Sequence, residues 1–578
     1  MKPRILIDLR HYSKALFSAD LMAGLVVGIV ALPLAIAFAI AASPGGDAEH
    51  TIGPGIGIIT AIVAGLIISL FGGSRVQIGG PTGAFIVIIY GIVAKFGLSG
   101  LLVATILAGV MLVLMGVFRL GSVIKFIPYP IVVGFTSGIA LTIFTTQVKD
   151  LLGLTLEGGA PAAFIDKWMC YFHNITTLQW DAVAVSVVSI AIIVACTRWM
   201  KRLPGSLIAI IVTTATVYFT NQSGLTHVAT IGDRFGNITA SLPHINAFHL
   251  DWKSLFTDAQ GHFTFNTLSA LFPSAFVIAI LGAIESLLSA TVADGVTGDH
   301  HDSNQELIGQ GIANIVAPFF GGIPATGAIA RTMTNINNGA RTCIAGVVHA
   351  LVLLVIFIVA MPLAAYIPMP TLAGVLVVVS YNMSQWRTFA QLTHRPKSDV
   401  VVLLVTFVLT VVFDLTIAIE LGLVLACLLF MRRMAEVTQL SIFTKEIDPN
   451  ADPVADIPLH EEALVIPDGV EVYEINGPFF FGVANRFEEM TAEMQDHPAI
   501  RIIRMRRVPF IDSTGVHNLE NLCLMSQRDG TQIILSGVQP KVRAVLERAG
   551  FPALIGEDNI CSHITIALER AAALRAKA

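Results

Sequence analysis

The sequence interrupts two of its long apolar stretches in nearly the same way, at "GGPTGAF" (residues 79–85) and at "GGIPATGAI" (residues 321–329). Each motif combines a pair of glycines with a proline, a threonine and a Gly-Ala step. In lipid, unwound backbone is tolerated only where it lines a buried or watery cavity. A helix that begins there directs its unpaired N–H groups and positive dipole end at the cavity. The two motifs therefore predict two half-helices that begin inside a membrane and face one anion site, with the hydroxyls of Thr82 and Thr326 beside it.

The composition supports a membrane protein. Of 578 residues, 54% are hydrophobic and only 13% are charged, whereas soluble proteins carry about 25% charged residues. The net charge of −5 indicates no particular partner, and we expect no nucleic acid. The six cysteines form no CxxC pair and no zinc spacing, so neither a metal nor another cofactor is predicted.

Apolar runs long enough to span a bilayer recur through the first three quarters of the chain. Fourteen candidates, numbered as segments 1 to 14, lie near residues 21–42, 55–71, 82–94, 98–118, 129–148, 181–198, 205–220, 266–292, 307–319, 327–338, 342–361, 371–386, 399–413 and 415–431. The distribution of Lys and Arg places both termini in the cytoplasm. Seven is an odd number, so a second set of seven enters from the opposite side and forms an inverted repeat. The two motifs open the third segment of each set, where such interruptions mark a transporter's substrate site.

The character of the chain changes after residue 433. We divide it into a cytoplasmic N-terminus (1–20), a transmembrane domain (21–433), a linker (434–465) and a C-terminal domain (466–578). In the last part, strand-like segments such as "VEVYEIN" (470–476) alternate with helical ones such as "VANRFEEMTAEMQ" (483–495), which predicts a small α/β domain. At "IDSTG" (511–515) we expect Ser513 and Thr514 to cap a helix.

Four residues inside predicted spans are candidates for chemistry. Glu285 lies in "AILGAIESLLSATVADG". Among segments 1–4 and 8–11, it is the only acidic residue well inside a predicted span. Burial favours the protonated form of a carboxyl group, so Glu285 could load and release a proton, with Ser289 on the same face; a purely structural glutamate is the alternative. Arg331 is either a fixed positive charge near the anion or an arginine that extends to the cytoplasmic edge. Phe38 either lines the cavity or packs in the core.

A loop rich in metal-binding residue types has a simpler interpretation. "DGVTGDHHDSNQE" contains Asp299, His300, His301 and Asp302. No other ligand cluster accompanies them, so we expect this loop to cap the helix that follows rather than to bind a metal.

Taken together, "SRVQIGGPTGAF", "GAIESLLSATVADG", "GQGIANIVAPFFGGIPATGAIART" and the terminal "DSTG" resemble the SulP anion transporters, also called the SLC26 family. The resemblance covers nearly the whole chain. It implies a core domain of segments 1–4 and 8–11, and a gate domain of segments 5–7 and 12–14. It also implies a cytoplasmic STAS domain at the C-terminus, a homodimer and a location in the plasma (inner) membrane.

The resemblance also assigns residues to the anion site, between the starts of segments 3 and 10. The site it implies comprises Phe38, Thr82, Gly83, Ala84, Gly327, Ala328, Ile329 and Arg331. Sodium-dependent bicarbonate members carry Asp in place of Glu285, Thr in place of Ser289 and Thr in place of Ile329. Glu285 is more similar to the proton-coupled bacterial branch, which makes Glu285 and Ser289 the candidates for cation coupling. Ser513 matches a serine that is phosphorylated in related STAS domains.

The expected function is secondary active transport of sulfate, bicarbonate or a C4-dicarboxylate, by proton symport and elevator-like alternating access, without enzymatic activity. A sodium-coupled bicarbonate symporter and an uncoupled anion channel or exchanger are alternatives. A membrane sensor with a STAS output domain and a nucleobase carrier are more distant ones. A cytoplasmic protein that binds the STAS domain is a further expected partner.

Overall fold

Helices built mainly from Ile, Leu, Val, Ala and Gly dominate the N-terminal part of the chain, as a lipid environment requires. In a computed structural model, the chain divides into two units, Met1–Ala426 and Cys427–Ala578. The structure describes residues 2–44, 51–122, 128–156, 161, 163–199, 204–236, 266–413, 415–447, 464–481, 483 and 498–576.

Every predicted segment corresponds to helical structure. The bounds are Lys14–Ala41 (segment 1), Pro54–Phe71 (2), a 3-10 turn Gly83–Phe85 with the helix Ile86–Val117 (3 and 4), Tyr129–Leu152 (5), Trp180–Trp199 (6), Gly205–Gln222 (7), Asn266–Thr297 (8), Ser303–Val316 (9), Ile329–Asn337 (10), Ile344–Ala364 (11), Met369–Met383 (12), Lys397–Val412 (13) and Leu415–Val437 (14). Within Ile86–Val117, Gly97 adopts φ 68° and ψ −175° and separates segment 3 from segment 4. Short helices at Arg4–Asp8, Phe164–His173, Ile231–Phe235 and Trp386–Leu392, and 3-10 turns at Leu9–His11, Leu120–Ser122, Ile175–Thr177 and Ala317–Phe320, complete this part.

Seven of these helices, among the residues described, are long and apolar enough to cross a membrane on their own. They are segments 1, 2, 5, 6, 8 and 11 and the long helix that contains segments 3 and 4. The half-helix of segment 10, Ile329–Asn337, is nine residues long. Such a helix covers about 13 Å at 1.5 Å per residue and cannot span a bilayer alone.

The packing of the segments has the symmetry of an inverted repeat. Segment 4 packs on segment 9 and segment 11 on segment 2; segment 1 packs on segment 11 and segment 8 on segment 4; segment 5 packs on segment 13 and segment 12 on segment 6. Each contact becomes its partner when every segment is exchanged for its counterpart seven places along the chain. The two sets of seven are therefore related by a pseudo-two-fold axis.

Close helix packing at glycines holds the two repeats together. A methyl group on Gly109 would lie 2.7 Å from the carbonyl oxygen of Gly311, and one on Gly311 would lie 2.6 Å from that of Gly109. Segments 4 and 9 thus approach backbone to backbone, as small residues permit in membrane helices.

Two groups of segments can be distinguished by their contacts. Segments 1–4 and 8–11 pack mainly on one another and form the core group. Segments 5, 6, 7, 12 and 13 pack on one another and form the gate group. Segment 1 contacts segments 7 and 12 across the boundary between the groups.

The C-terminal unit contains a five-stranded sheet in the order β3-β6-β7-β8-β9. Its strands are β3 (Gln439–Phe443), β6 (Val470–Asn476), β7 (Ile500–Arg507), β8 (Gln532–Ser536) and β9 (Ile560–Cys561); β4 (Glu446–Ile447) pairs with β5 (Leu464–Val465). β3 is antiparallel to β6, and the other neighbours in the sheet are parallel. Helices follow at Ser513–Arg528, Pro540–Arg548, Phe551–Ile555 and Ile564–Arg575, with a 3-10 turn at Glu557–Asn559.

This unit is the small α/β domain that the sequence predicts. In β7, the first six residues are buried, as expected for a parallel strand covered on both faces. The helix predicted over 483–495 lies almost wholly outside the described residues, as does half of the predicted linker, residues 448–463.

Candidate functional site

The two unwound motifs form a small antiparallel pair between segments 3 and 10. β1 (Gly79–Gly80) pairs with β2 (Thr326–Gly327), so that Gly79 is opposite Gly327 and Gly80 is opposite Thr326. The N–H of Ala328 extends the pairing by donating to the carbonyl of Ile78 at 2.9 Å. The interrupted backbone of each repeat is thus satisfied by the other repeat, which allows it to exist at membrane depth.

Neither helix start is capped by a side chain. Thr82 precedes the turn Gly83–Phe85, and Ala328 precedes the helix of segment 10, yet neither side chain accepts a hydrogen bond from its own helix. The first N–H groups of a helix have no partner inside the helix. The uncapped starts therefore leave backbone donors, with the positive ends of two dipoles, available to an anion.

Thr82 uses its hydroxyl to bind the acid of segment 8. Its Oγ1 donates to Oε2 of Glu285 at 3.0 Å, and only 9% of Thr82 is exposed. A carboxylate of segment 8 therefore lies directly beside the start of segment 3. Ala84 and Gly83, the next residues of that start, are buried.

Arg331 lies in the first turn of segment 10 and points back toward segment 3. It is 3% exposed, and its Nη2 donates to the carbonyl of Pro81. A methyl group on Gly80, whose φ is +147°, would lie 2.5 Å from Nη1 of Arg331, so only glycine leaves room here. Glu285 is close enough to attract the guanidinium. This is not the position of an arginine that extends to the membrane edge.

Phe38 lies beside the start of segment 3, together with two gate residues. It is 6% exposed, and a methyl group placed on Gly83 would lie 3.5 Å from Cε1 of Phe38, 3.5 Å from Cδ1 of Ile143 and 2.9 Å from Sδ of Met383. Ile143 and Met383 belong to segments 5 and 12. Nothing in their sequence context distinguishes them from other apolar residues, so the sequence could not have indicated them.

Segment 8 supports the start of segment 10 through a serine that the sequence reasoning missed. Oγ of Ser286 is 2.6 Å from Oγ1 of Thr326 and accepts from the N–H of Gly327 at 3.1 Å. Thr326 also donates to the carbonyl of Gly282 at 2.9 Å, and its side chain is fully buried. The hydroxyl of Thr326 and the N–H of Gly327 are therefore used in bonds to segment 8. They hold the start of segment 10 in place and do not face an anion. The position of Ser286 next to Glu285 was the available signal.

Three other predicted residues, Ser289, Ala328 and Ile329, differ in their exposure. Ser289 is fully buried and donates to Oγ1 of Thr332 at 3.2 Å, which joins segment 8 to segment 10. Ala328 is 9% exposed at the helix start, and Ile329 is 40% exposed. Ser289 thus lies behind the helix start, whereas Ile329 is accessible.

A buried acid of the core group also lies just outside the span predicted at 307–319. Glu306, in the first turn of segment 9, is fully buried. It accepts from the N–H of Gly73 at 2.8 Å, the N–H of Ser74 at 3.1 Å and Nε2 of Gln310 at 2.8 Å. These three donors fix the loop between segments 2 and 3. They give Glu306 a structural role, whereas Glu285 has a single hydroxyl donor.

The acidic, histidine-containing loop caps segment 9, as predicted. Oδ1 of Asp302 accepts from the N–H groups of Asn304 at 3.0 Å and Gln305 at 3.1 Å. His301 is bound to Asp294 at 2.6 Å. In the described part of the chain, no three His, Cys, Asp or Glu side chains are grouped as metal ligands.

The turn at 511–515 of the C-terminal unit differs from the prediction. Asp512, not Ser513 or Thr514, is the cap, and its carboxylate accepts from the N–H of Gly515 at 2.8 Å. The helix begins at Ser513, so the two hydroxyls belong to its first turn and both residues are exposed. A carboxylate is also the stronger acceptor at a helix N-terminus.

Comparison with known families identifies both parts of the chain. A model of the sulfate permease family matches residues 17–406, and a STAS domain model matches residues 463–567. The chain belongs to the sulfate permease family. The resemblance to SulP and SLC26 transporters, drawn from the motifs, is confirmed.

The chain is similar along its length to known transporters of the family. It is 39% identical over 570 residues to the putative sulfate transporter YvdB of Bacillus subtilis, covering 96% of this chain and 98% of that protein. It is 29% identical over 545 residues to the bicarbonate transporter BicA of Picosynechococcus, covering 92% of this chain and 90% of that protein.

Solved structures agree with the fold of this chain. The murine Slc26a9 anion transporter superposes with a TM-score of 0.83 over 99% of this chain and 94% of that one, at 19% identity. The transmembrane domain of a cyanobacterial BicA gives a TM-score of 0.59 over 72% of this chain and 98% of that one, at 28% identity. At 19% identity, the similarity to Slc26a9 indicates a shared fold and nothing more.

Proposed function

We propose that this protein is a secondary active transporter of a small anion, driven by proton symport. The observation that supports this most directly is the pair of uncapped helix starts, with Arg331 and Glu285 between them. Backbone donors and a guanidinium suit an anion. A carboxylate beside them would repel the same anion unless it were neutralised.

Proton coupling follows from that pair of charges. With Glu285 ionised, its charge offsets that of Arg331, and the site has little net attraction for an anion. With Glu285 protonated, the charge of Arg331 is uncompensated and the anion binds more tightly. By linkage, a bound anion then raises proton affinity to the same extent. Anion and proton would therefore load and leave together.

The residues around Gly83 come from both groups of segments, which supports elevator-like alternating access. Phe38, Thr82 and Arg331 belong to the core group, whereas Ile143 and Met383 belong to the gate group. An apolar gate wall offers no hydrogen bonds to hold the anion in place. We propose that the core group carries the anion along this wall, with the helix starts, Gly83, Ala84, Ala328 and Ile329 included, moving as one body.

The remaining features of the proposal rest on the sequence and on the relatives. Sulfate and bicarbonate are the anions named for the relatives, and C4-dicarboxylates suit the same donors. The Lys and Arg pattern supports an orientation with both termini and the STAS domain in the cytoplasm, and the relatives support a plasma (inner) membrane location. A homodimer, a protein partner of the STAS domain and phosphorylation of the exposed Ser513 are part of the same proposal.

Sodium-coupled bicarbonate symport is the second candidate, because of the similarity to BicA. Proteoliposomes distinguish the two. Labelled sulfate, bicarbonate and succinate would be offered separately, with either an inward proton gradient or an inward sodium gradient. We expect accumulation of at least one anion with the proton gradient and no response to sodium. A response to sodium alone would favour the second candidate, and uptake no higher than in empty liposomes, for every anion, would overturn the proposal.

A further inference from the structure

A cavity whose lining does not include the residues of the two motifs lies between the two groups of segments. Its volume is about 700 Å³, and its wall includes residues 86–96 of segment 3, Thr142, Thr145 and Thr146 of segment 5, and Thr410 of segment 13. The wall also contains Lys95 and Lys167. We call it the Lys167 cavity. It borders segment 3 from the residue that follows the turn Gly83–Phe85, so it adjoins the proposed anion site along the chain.

Lys167 is a charged residue that is almost wholly buried. It lies on the short helix Phe164–His173 between segments 5 and 6 and is only 3% exposed. Its ammonium lies 4.8 Å from the centre of the Tyr90 ring. Within the described residues, neither a carboxylate nor any hydrogen-bond acceptor pairs with it. Burial lowers the pKa of Lys167 to about 8, so most of the groups still carry their charge at pH 7.

The rest of the wall does not neutralise this charge. Its titratable groups are Tyr90, Lys95 and Lys167, and no Asp or Glu is among its residues. The hydroxyls of Thr142, Thr145 and Thr410 donate to carbonyls of their own helices. Lys95 is exposed and adds a second positive charge. Buried charges in proteins are ordinarily paired, and within the described residues the ammonium of Lys167 has only the Tyr90 ring beside it.

We propose that the Lys167 cavity is a second anion site, in which a small oxyanion binds the ammonium of Lys167 with Lys95 at the rim. The inference rests on the proposed function for its purpose, which is to concentrate the anion beside the path to the helix starts. The same oxyanion chemistry is present in a free anion and in the phosphate of an anionic lipid. The experiment below distinguishes a free anion from a lipid phosphate.

The test measures binding in the full-length protein and does not require transport. Ala163, an exposed residue of the cavity wall, is replaced by Cys and labelled with a trifluoromethyl probe, with Cys170→Ser and Cys427→Ser as background. The ¹⁹F resonance is followed in phosphatidylcholine nanodiscs during titration with sodium sulfate at constant ionic strength. We expect a saturable shift whose half-saturating concentration rises about tenfold or more in Lys167→Met.

Control variants separate this effect from a general loss of charge. Lys167→Arg and Lys149→Met should keep the shift, because the first retains the cation and Lys149 is not part of the wall. If Lys167→Met does not fold, Lys95→Met should weaken binding to a smaller extent. A shift that appears without sulfate in phosphatidylglycerol nanodiscs, and is lost in Lys167→Met, supports the site with lipid phosphate as its occupant.

Two results would overturn the inference: no saturable shift with either source, or a sulfate titration that Lys167→Met leaves unchanged. Failure of transport in proteoliposomes would contradict the proposed function and leave this binding result intact. Where transport is seen, Lys167→Met should raise KM for external anion with kcat nearly unchanged. A fall in kcat alone would instead show that Lys167 and Tyr90 only hold the core and gate groups together.

Discussion

Replacement of Arg331 by Ala should weaken anion binding strongly. The guanidinium is buried, bound to the carbonyl of Pro81, and the nearest fixed positive charge to the two helix starts. A hydrogen bond to a charged group contributes about 1.5–3 kcal/mol, and every 1.4 kcal/mol is a factor of ten in affinity. The dissociation constant should therefore rise roughly tenfold to a hundredfold.

The assay is equilibrium binding of the transported anion to purified protein, with Arg341→Ala as a matched control. Arg341 is another arginine near segment 10, but it is exposed, and its loss should change affinity less than about twofold. Arg331→Lys should recover part of the loss, since it retains the charge but not the planar fork. If Arg331→Ala folds and binds with unchanged affinity, the guanidinium is only a brace for Pro81.

Two further predictions test the geometry of the site and its independence from the C-terminal unit. Gly80→Ala should reduce anion affinity at least about fivefold, because the methyl group would displace Arg331 and strain the backbone. Gly295→Ala should be neutral, because a methyl group there meets nothing within 4 Å. Equal affinities of the two variants in binding titrations would contradict the crowding described at Gly80. A chain ending after Thr438 should still bind the anion in the same titration, because every site residue precedes it; a folded truncation without binding would show that the STAS domain completes the site.

The sequence was informative where the physical constraint is local. Glycine and proline in an apolar stretch allow few structures in lipid, so the helix starts at Gly83 and Ile329 could be predicted from the two motifs. A division between segments 3 and 4 was also predicted, between residues 94 and 98, and the helix is interrupted there at Gly97. Asp302 as a helix cap depends on neighbouring residues alone.

Other parts of the site depend on contacts between distant residues. Ile143 and Met383 lie far from the motifs in sequence and are ordinary apolar residues until the fold brings them to Gly83. The direction of Arg331 depends on the helix starting at Ile329, which places the side chain in the first turn. The structural role of Glu306 follows from two backbone donors at Gly73 and Ser74, which no periodicity in segment 9 could indicate.

Proton coupling through Glu285 is the central claim, and the most direct test is Glu285→Gln in proteoliposomes. Gln keeps the size of the side chain and can still bond Thr82, but it cannot titrate. In Glu285→Gln, accumulation driven by an inward proton gradient should be lost while exchange of anion for anion persists. Asp181→Asn, which changes an exposed acid at the start of segment 6, should leave both unaffected. Full proton-driven accumulation by Glu285→Gln would contradict the claim and place the coupling group elsewhere.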